Sequence, residues 1–225
     1  MTDITQQDKW TAVDRYFTDQ LHAGDEILEA ALKACEAAGL PQIQVTANEG
    51  KLLQILAQIV RASSILEIGT LGGYSTIWLA RGLRPGGRVV TLEVDPKHAA
   101  VAKANFARAG LSRAIDLRVG NALETLPLLA RESGGKFDLI FIDADKSNNA
   151  AYFDWSLQMS HPGTLIVVDN VVRDGKVIDA DSEDPSIQGV RRFVAMLGAQ
   201  KGVSGTAIQT VGMKGYDGFA IVLVE

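Results

Sequence analysis

The sequence predicts an α/β protein: a doubly wound, mostly parallel sheet with helices on both faces and an antiparallel C-terminal hairpin. Three observations carry this. From residue 64 onward, short apolar runs alternate with helix-like stretches, as in successive strand–helix units. Some of those runs, 139–142 above all, are apolar without interruption, which suits strands covered on both faces. The alternation then stops, and two β-rich runs, 207–212 and 218–224, close the chain around a short polar turn.

The elements follow in order. A helical region is expected to about residue 62. Asp25 and Glu26 precede Ile27, Leu28, Ala31, Leu32 and Cys35, a helical spacing that stops at Gly39 and Pro41. Thr46 and Glu49 have the spacing of a capping box, and Leu52, Leu53, Leu56, Ile59 and Val60 line one face of the helix it opens. Strands are expected at 64–68, 88–93, 115–119, 137–142 and 164–168, and helices at 75–83, 97–109, 123–131 and 149–159. No repeat or linker divides the 225 residues, so one domain is expected.

Composition narrows the function. Hydrophobic residues make up 47% and charged residues 22%, with a formal net charge of -5. Such a chain has no basic field to draw in nucleic acid or anionic lipid, so neither is expected as a partner. The single cysteine, Cys35, excludes an intrachain disulfide and reads as a small buried apolar group. The first ten residues lack a basic segment and an apolar segment, and no apolar run approaches the ~18 residues of a membrane span. A cytoplasmic location is the expectation.

Two motifs carry chemistry. The first is Gly69-Thr70-Leu71-Gly72-Gly73-Tyr74-Ser75, between the first strand and its helix. Glycines there allow positive φ and close approach of a ligand to backbone. The loop does not fit the G-x-G-x-x-G of a nicotinamide site. The second strand ends at Glu93, where a carboxylate can accept both hydroxyls of a ribose. The small residues Gly120, Asn121 and Ala122 after the third strand would leave room for a flat base.

The second motif is a pair of strand ends bearing oxygen ligands: Asp143-Ala144-Asp145-Lys146 and Asp169-Asn170. In a doubly wound sheet both open onto the same crevice. Asp143, Asp169 and Asn170 would offer only oxygen atoms, a set suited to Mg²⁺, Ca²⁺ or Mn²⁺ and not to zinc. Asp and Asn also cap helices and form turns, and that plainer reading is the stronger one for Asp145. Lys146, three residues after Asp143, becomes a candidate base beside such a cation. His22, His98 and His161 form no ligand pattern.

These segments together resemble the caffeoyl-CoA O-methyltransferase type of class I methyltransferase and, more distantly, catechol O-methyltransferase. The resemblance runs from about residue 45 to 225. It rests on Ala47-Asn48-Glu49-Gly50, on Glu67-Ile68-Gly69-Thr70-Leu71-Gly72-Gly73-Tyr74-Ser75, on Asp143-Ala144-Asp145-Lys146 and on Val168-Asp169-Asn170. It implies a Rossmann-like methyltransferase fold and S-adenosylmethionine as cofactor. The backbone around Val45, with Glu67, Gly69, Thr70, Gly73 and Ser75, would hold the methionine part. Glu93 would bind the ribose, Ala122 would border the adenine, and Asp143 and Asp145 would lie near the cofactor. Asp143, Asp169 and Asn170 would hold the metal, and Lys146 would be the base.

The implied reaction is O-methylation of a catechol-like small molecule by a homodimeric enzyme, and Trp10, Tyr16 and Phe17 offer apolar surface for such a dimer. Two departures stand out. Asp174 replaces an asparagine common in plant relatives, and the acidic stretch 174–186 does not match their insertion. Two other classes fit a sheet of this kind: a nicotinamide-dependent oxidoreductase and a nucleoside-binding module without catalysis.

Overall fold

The computed structural model describes residues 5–21, 25–132 and 136–225, so His22 lies outside the described residues. Three helices come first: α1 (Gln6–Leu21), α2 (Glu26–Ala37) and α3 (Ala47–Ile59). Strands and helices then alternate: β1 (Ser64–Ile68), α4 (Tyr74–Gly82), β2 (Arg88–Glu93), α5 (Pro96–Arg108), β3 (Ile115–Val119), α6 (Ala122–Glu132), β4 (Leu139–Ile142), α7 (Asn149–Gln158) and β5 (Leu165–Asp169). The chain ends in α8 (Pro185–Ala199), β6 (Val203–Gly212) and β7 (Gly215–Val224).

The strands form one sheet in the order β3-β2-β1-β4-β5-β7-β6. The five strands from β3 to β5 run parallel, with registers such as Leu66 opposite both Val90 and Ile140. β7 pairs antiparallel with both β5 and β6, so the hairpin completes one edge. Because side chains alternate along a strand, each buried strand feeds two cores. Leu66, Ile68, Ile140, Ile142 and Ile166 pack with Leu126, Phe153 and Phe193 of α6, α7 and α8. Ile65, Val89, Leu139, Phe141 and Val167 pack with Leu28, Leu53, Ile77 and Phe106 of α2 to α5. The order reverses between β1 and β4, and ligands in open α/β sheets lie beyond the strand ends at such a point.

Local sequence rules account for most boundaries. The Thr46 hydroxyl accepts from Glu49 N at 3.2 Å, and the Glu49 carboxylate accepts from Thr46 N at 2.7 Å, the capping box expected for α3. Asp25 caps α2 by accepting from Ile27 N and Leu28 N. Cys35 is buried, as expected.

The structure also corrects the reading. α8 was not anticipated. Asp184 caps it, Pro185 sits in its first turn, and Ile187, Val190 and Phe193 form its buried stripe. β4 begins at Leu139 and not at 137. Asp138 turns its carboxylate to Ser63 N and Ser64 N, at 2.7 and 2.9 Å, which fastens the entry of β1 instead. The hairpin is longer and its turn tighter than expected, with Gly212 paired to Gly215 around Met213 and Lys214. No helix of the described residues is long and apolar enough to cross a membrane.

Candidate active site

The glycine turn after β1 meets the end of β4 at the switch point. Gly69 has φ +104°, and a Cβ there would lie 2.2 Å from the carbonyl oxygen of Asp143. Only glycine allows that approach. Gly73 has φ +83°, and a Cβ would lie 2.3 Å from the Phe106 ring. Both glycines therefore shape the turn, whatever they bind.

Below the turn lies Glu67, fully buried. Its carboxylate accepts from Ser75 Oγ at 2.7 Å, from Thr91 Oγ1 at 2.6 Å, and from Thr76 Oγ1. Thr70 Oγ1 and Thr91 Oγ1 share a further hydrogen bond of 2.5 Å. Burial pushes Glu67 up to about 7, against the pull of the three hydroxyls and with a further push from the Asp143 charge. Glu67 thus buttresses the turn from beneath instead of lining the cleft above it.

Glu93 occupies the cleft wall. One carboxylate oxygen accepts from Leu71 N at 2.7 Å and the other from Asp95 N at 2.9 Å, which ties the β1 and β2 loops together. His98 Nδ1 lies 3.5 Å from Glu93. The cleft has a volume of about 590 Å³, and Gly69, Thr70, Ser75, Glu93, Ala122, Asp143, Asp145 and Lys146 are in its wall. Gly73 and Glu67 are outside the wall. Val45 faces a neighbouring cleft, while Ile43 and Gln44 reach this one.

The two strand ends converge as expected. Asp143 follows β4, and its carboxylate receives Lys146 Nζ at 2.7 Å. Lys146 is only 8% exposed. Asp145 accepts from Ser147 Oγ at 2.8 Å, Asn148 Nδ2 at 2.6 Å and the Tyr152 hydroxyl at 2.5 Å. Asp169 ends β5, and Asn170, at φ +56°, donates its N–H to Asp169 at 2.8 Å. Burial, and then the Asp143 charge, hold the Asp169 acid well above the usual carboxylate range, with Lys146 opposing.

A second cleft of about 690 Å³ contains Asp169 in its wall, and Asn170 and Arg173 border both clefts. Among the described residues no group of three His, Cys, Asp or Glu side chains is placed to hold a metal. The oxygen set is therefore two carboxylates and the Asn170 amide. The Asp143 charge raises the proton affinity of Asp169, and two carboxylates this close, with Asn170 next in the chain, offer the oxygen donors that a hard divalent cation takes.

Comparisons with known proteins bear on the family and the fold. The family model described as O-methyltransferase matches residues 19–222. This chain belongs to the O-methyltransferase family. It is 54% identical to a catechol O-methyltransferase of Niastella koreensis, over 95% of this chain and 97% of that one. It is 52% identical to a catechol O-methyltransferase of Mycobacterium tuberculosis, over 99% of both chains. The crystal structure of an O-methyltransferase from Bacillus cereus in complex with SAH superposes with a TM-score of 0.97 at 55% identity, over 98% of this chain and 100% of that one.

The sequence reading of this methyltransferase passed over several residues that face the clefts. Gln44 and Ile43 lie before α3, in a stretch with no motif. Tyr152 shares a helix face with nothing in the motif, yet it is the partner of Asp145. His98 sits beside Glu93 without any ligand spacing to mark it. Lys214 reaches the second cleft from the turn of a hairpin whose length the sequence underestimated.

Proposed function

We propose that this O-methyltransferase uses S-adenosylmethionine and a divalent cation, Mg²⁺ or another such as Mn²⁺ or Ca²⁺, to methylate one hydroxyl of a catechol-like small molecule. The observation that carries the reading is the meeting of the two clefts at Asn170 and Arg173, with Asp143 and Lys146 in the wall of one and Asp169 in the wall of the other. Relatives over half identical and named catechol O-methyltransferase support it.

When bound, S-adenosylmethionine supplies an electrophilic methyl group and the cation lowers the proton affinity of a phenol whose free pKa is roughly 10. The rest falls to the chain. Glu93, already fixed by two backbone N–H groups, offers its remaining lone pairs to the ribose. Gly69 lets the ligand approach backbone, and Ala122 leaves the base its space. Asp143, Asp169 and Asn170 would hold the cation.

Lys146 receives the proton at Nζ. It would do so as the neutral amine, from a position where Nζ lies 2.7 Å from Asp143 Oδ1, beside the oxygen set that would hold the cation. Expulsion of water and alignment of the oxygen with the methyl group then supply much of the acceleration.

Methyl transfer to a catechol and to a monophenol, each with and without excess chelator, tests this reading. Catechol turnover that vanishes with chelator and returns with Mg²⁺ or Mn²⁺ is expected, with little turnover of the monophenol. Equal turnover of both phenols in chelator would contradict it. We further propose a cytoplasmic homodimer. The support is the face of α1, where Val13, Tyr16 and Phe17 are exposed and no residue is buried. A monomer mass by light scattering would overturn the dimer.

A further inference from the structure

We propose that Lys214, on the turn between β6 and β7, receives an anionic substituent of the catechol ring and so sets which of the two hydroxyls is methylated. This rests on the reading that a catechol binds at Asp143, Asp169 and Asn170.

The first observation is charge. Lys214 lies in the wall of the cleft that contains Asp169 and Asn170. Arg173, the other cation of that wall, faces Asp217 at 3.8 Å and has a buried Nε without a hydrogen-bond partner, whereas Asp14, Glu49 and Asp217 are engaged. Asp14 accepts from Met213 N at 2.7 Å and from Asn48 Nδ2 at 3.1 Å, and Glu49 accepts from Thr46 N at 2.7 Å. Asp217 accepts from Val172 N, Arg173 N and Gly218 N at 3.0, 2.9 and 3.0 Å, and faces the Arg173 guanidinium at 3.8 Å.

Lys214 differs. Its ammonium donates to a backbone carbonyl, that of Gln44, and among the described residues it forms no ion pair with a carboxylate. Two of its three N–H groups stay available. Burial of the ammonium pulls its proton affinity down, and the charges of Glu49, Asp143 and Asp169 oppose this.

The second observation is fixation. The pair of Gly212 with Gly215 closes the turn, and α1 grips it, with Gln7 Nε2 donating to Gly212 O at 3.0 Å and Asp14 accepting from Met213 N at 2.7 Å. The hairpin tip is thereby held against α1, and the Lys214 bond to Gln44 O ties it to the loop before α3.

The consequence concerns orientation. A vicinal diol on the oxygen set can be turned over, which exchanges the hydroxyl beside Lys146. Both poses present the same two adjacent oxygens to the cation. A cation with free N–H groups to one side of the diol distinguishes them, if the ring carries an anion. A charge-assisted hydrogen bond discriminates by roughly tenfold or more, so one pose should dominate for an acid and neither for its neutral ester.

The test uses the full enzyme with Mg²⁺ and three probes: protocatechuate, its methyl ester and the corresponding benzylamine. The readouts are kcat/KM and the ratio of the two monomethyl ethers. Wild type should favour the acid over the ester by roughly tenfold, with the ether ratio skewed for the acid. Lys214→Met should move the acid-to-ester preference and the ether ratio toward one, and Lys214→Arg should restore both. Preference for the amine, or a Lys214→Met variant that lowers all probes in proportion with ether ratios unchanged, would show that Lys214 only latches the hairpin and would overturn the proposal. Turnover of none of the three by wild type would overturn the catechol reading and the proposal with it. Melting temperatures of the variants separate these outcomes from unfolding.

Discussion

The two clefts that meet at the strand ends are built differently. The wall of the cleft proposed for the cofactor comes chiefly from consecutive strand–loop–helix units, between β1 and the start of α7. The wall of the second cleft is assembled from α1, the loop before α3, the end of β5 and the β6–β7 hairpin, segments up to about 200 residues apart. One is supported by buried hydroxyls on Glu67 and by Glu93 bridging two loops, and the other by side chains reaching across from an exposed helix. A scaffold of the first kind can keep its ligand while the second changes substrate. Loops carried on a rigid sheet commonly divide labour in this way.

The contrast yields graded outcomes. Lys146→Ala should lower kcat by a factor on the order of 10² to 10⁴, the usual range for loss of a positioned base. The loss should shrink at high pH, where the phenol ionises without help. Rate profiles from neutral to alkaline pH check this, and a constant deficit would remove Lys146 from proton transfer.

Glu67 gives the next effect, on stability. Its folded value near 7 lies above the ordinary 4.5, so the folded state holds this proton more tightly than the unfolded chain. The sign follows: the contribution is fully present below pH 4.5 and is lost as pH rises toward 7. The total is about 3 kcal/mol on linkage arithmetic. Glu67→Gln should therefore flatten the decline between those values. Urea midpoints for both proteins across the range provide the measurement, and parallel profiles would show that Glu67 is charged throughout.

The smallest effect belongs to Glu93→Ala, which should weaken S-adenosylhomocysteine by about 1–3 kcal/mol through lost charge-assisted bonds. Because Glu93 also holds Leu71 N and Asp95 N, Glu93→Asp should recover only part of the affinity. Calorimetry decides, and wild-type affinity in Glu93→Ala would displace the ribose from this carboxylate.

The same contrast explains what the sequence revealed. The inner strands of the sheet up to β5 were legible because doubly covered strands are largely apolar runs, and the edge strand β3 because apolar and charged residues alternate along it; β1, β2 and β3 fell on the expected residues. The strand-end residues Glu93, Asp143, Asp169 and Asn170 were legible because a polar residue after such a run has to lie at the crevice. Glu67 and Gly73 stand in the same motif, yet they serve the turn from outside the cleft, a distinction that only burial and φ reveal. α8 escaped because its Asp184-Pro185 start lies in the acidic stretch 174–186, to which no element was assigned. Lys214, Gln44 and Arg173 escaped for a topological reason: the partners that bring each to the site lie far off in sequence, so no local pattern records the meeting.

The most direct test of the account is Asp169→Ala, followed in parallel by turnover of a catechol with Mg²⁺ and by calorimetric binding of S-adenosylhomocysteine. Asp169 lies in the wall of the second cleft and not in that of the cofactor cleft. The expected result is loss of turnover by several powers of ten, since cation-borne stabilisation amounts to several kcal/mol, with cofactor affinity close to wild type. Turnover near the wild-type rate, or a loss of cofactor affinity that matches the loss of turnover, would contradict the division between the two clefts.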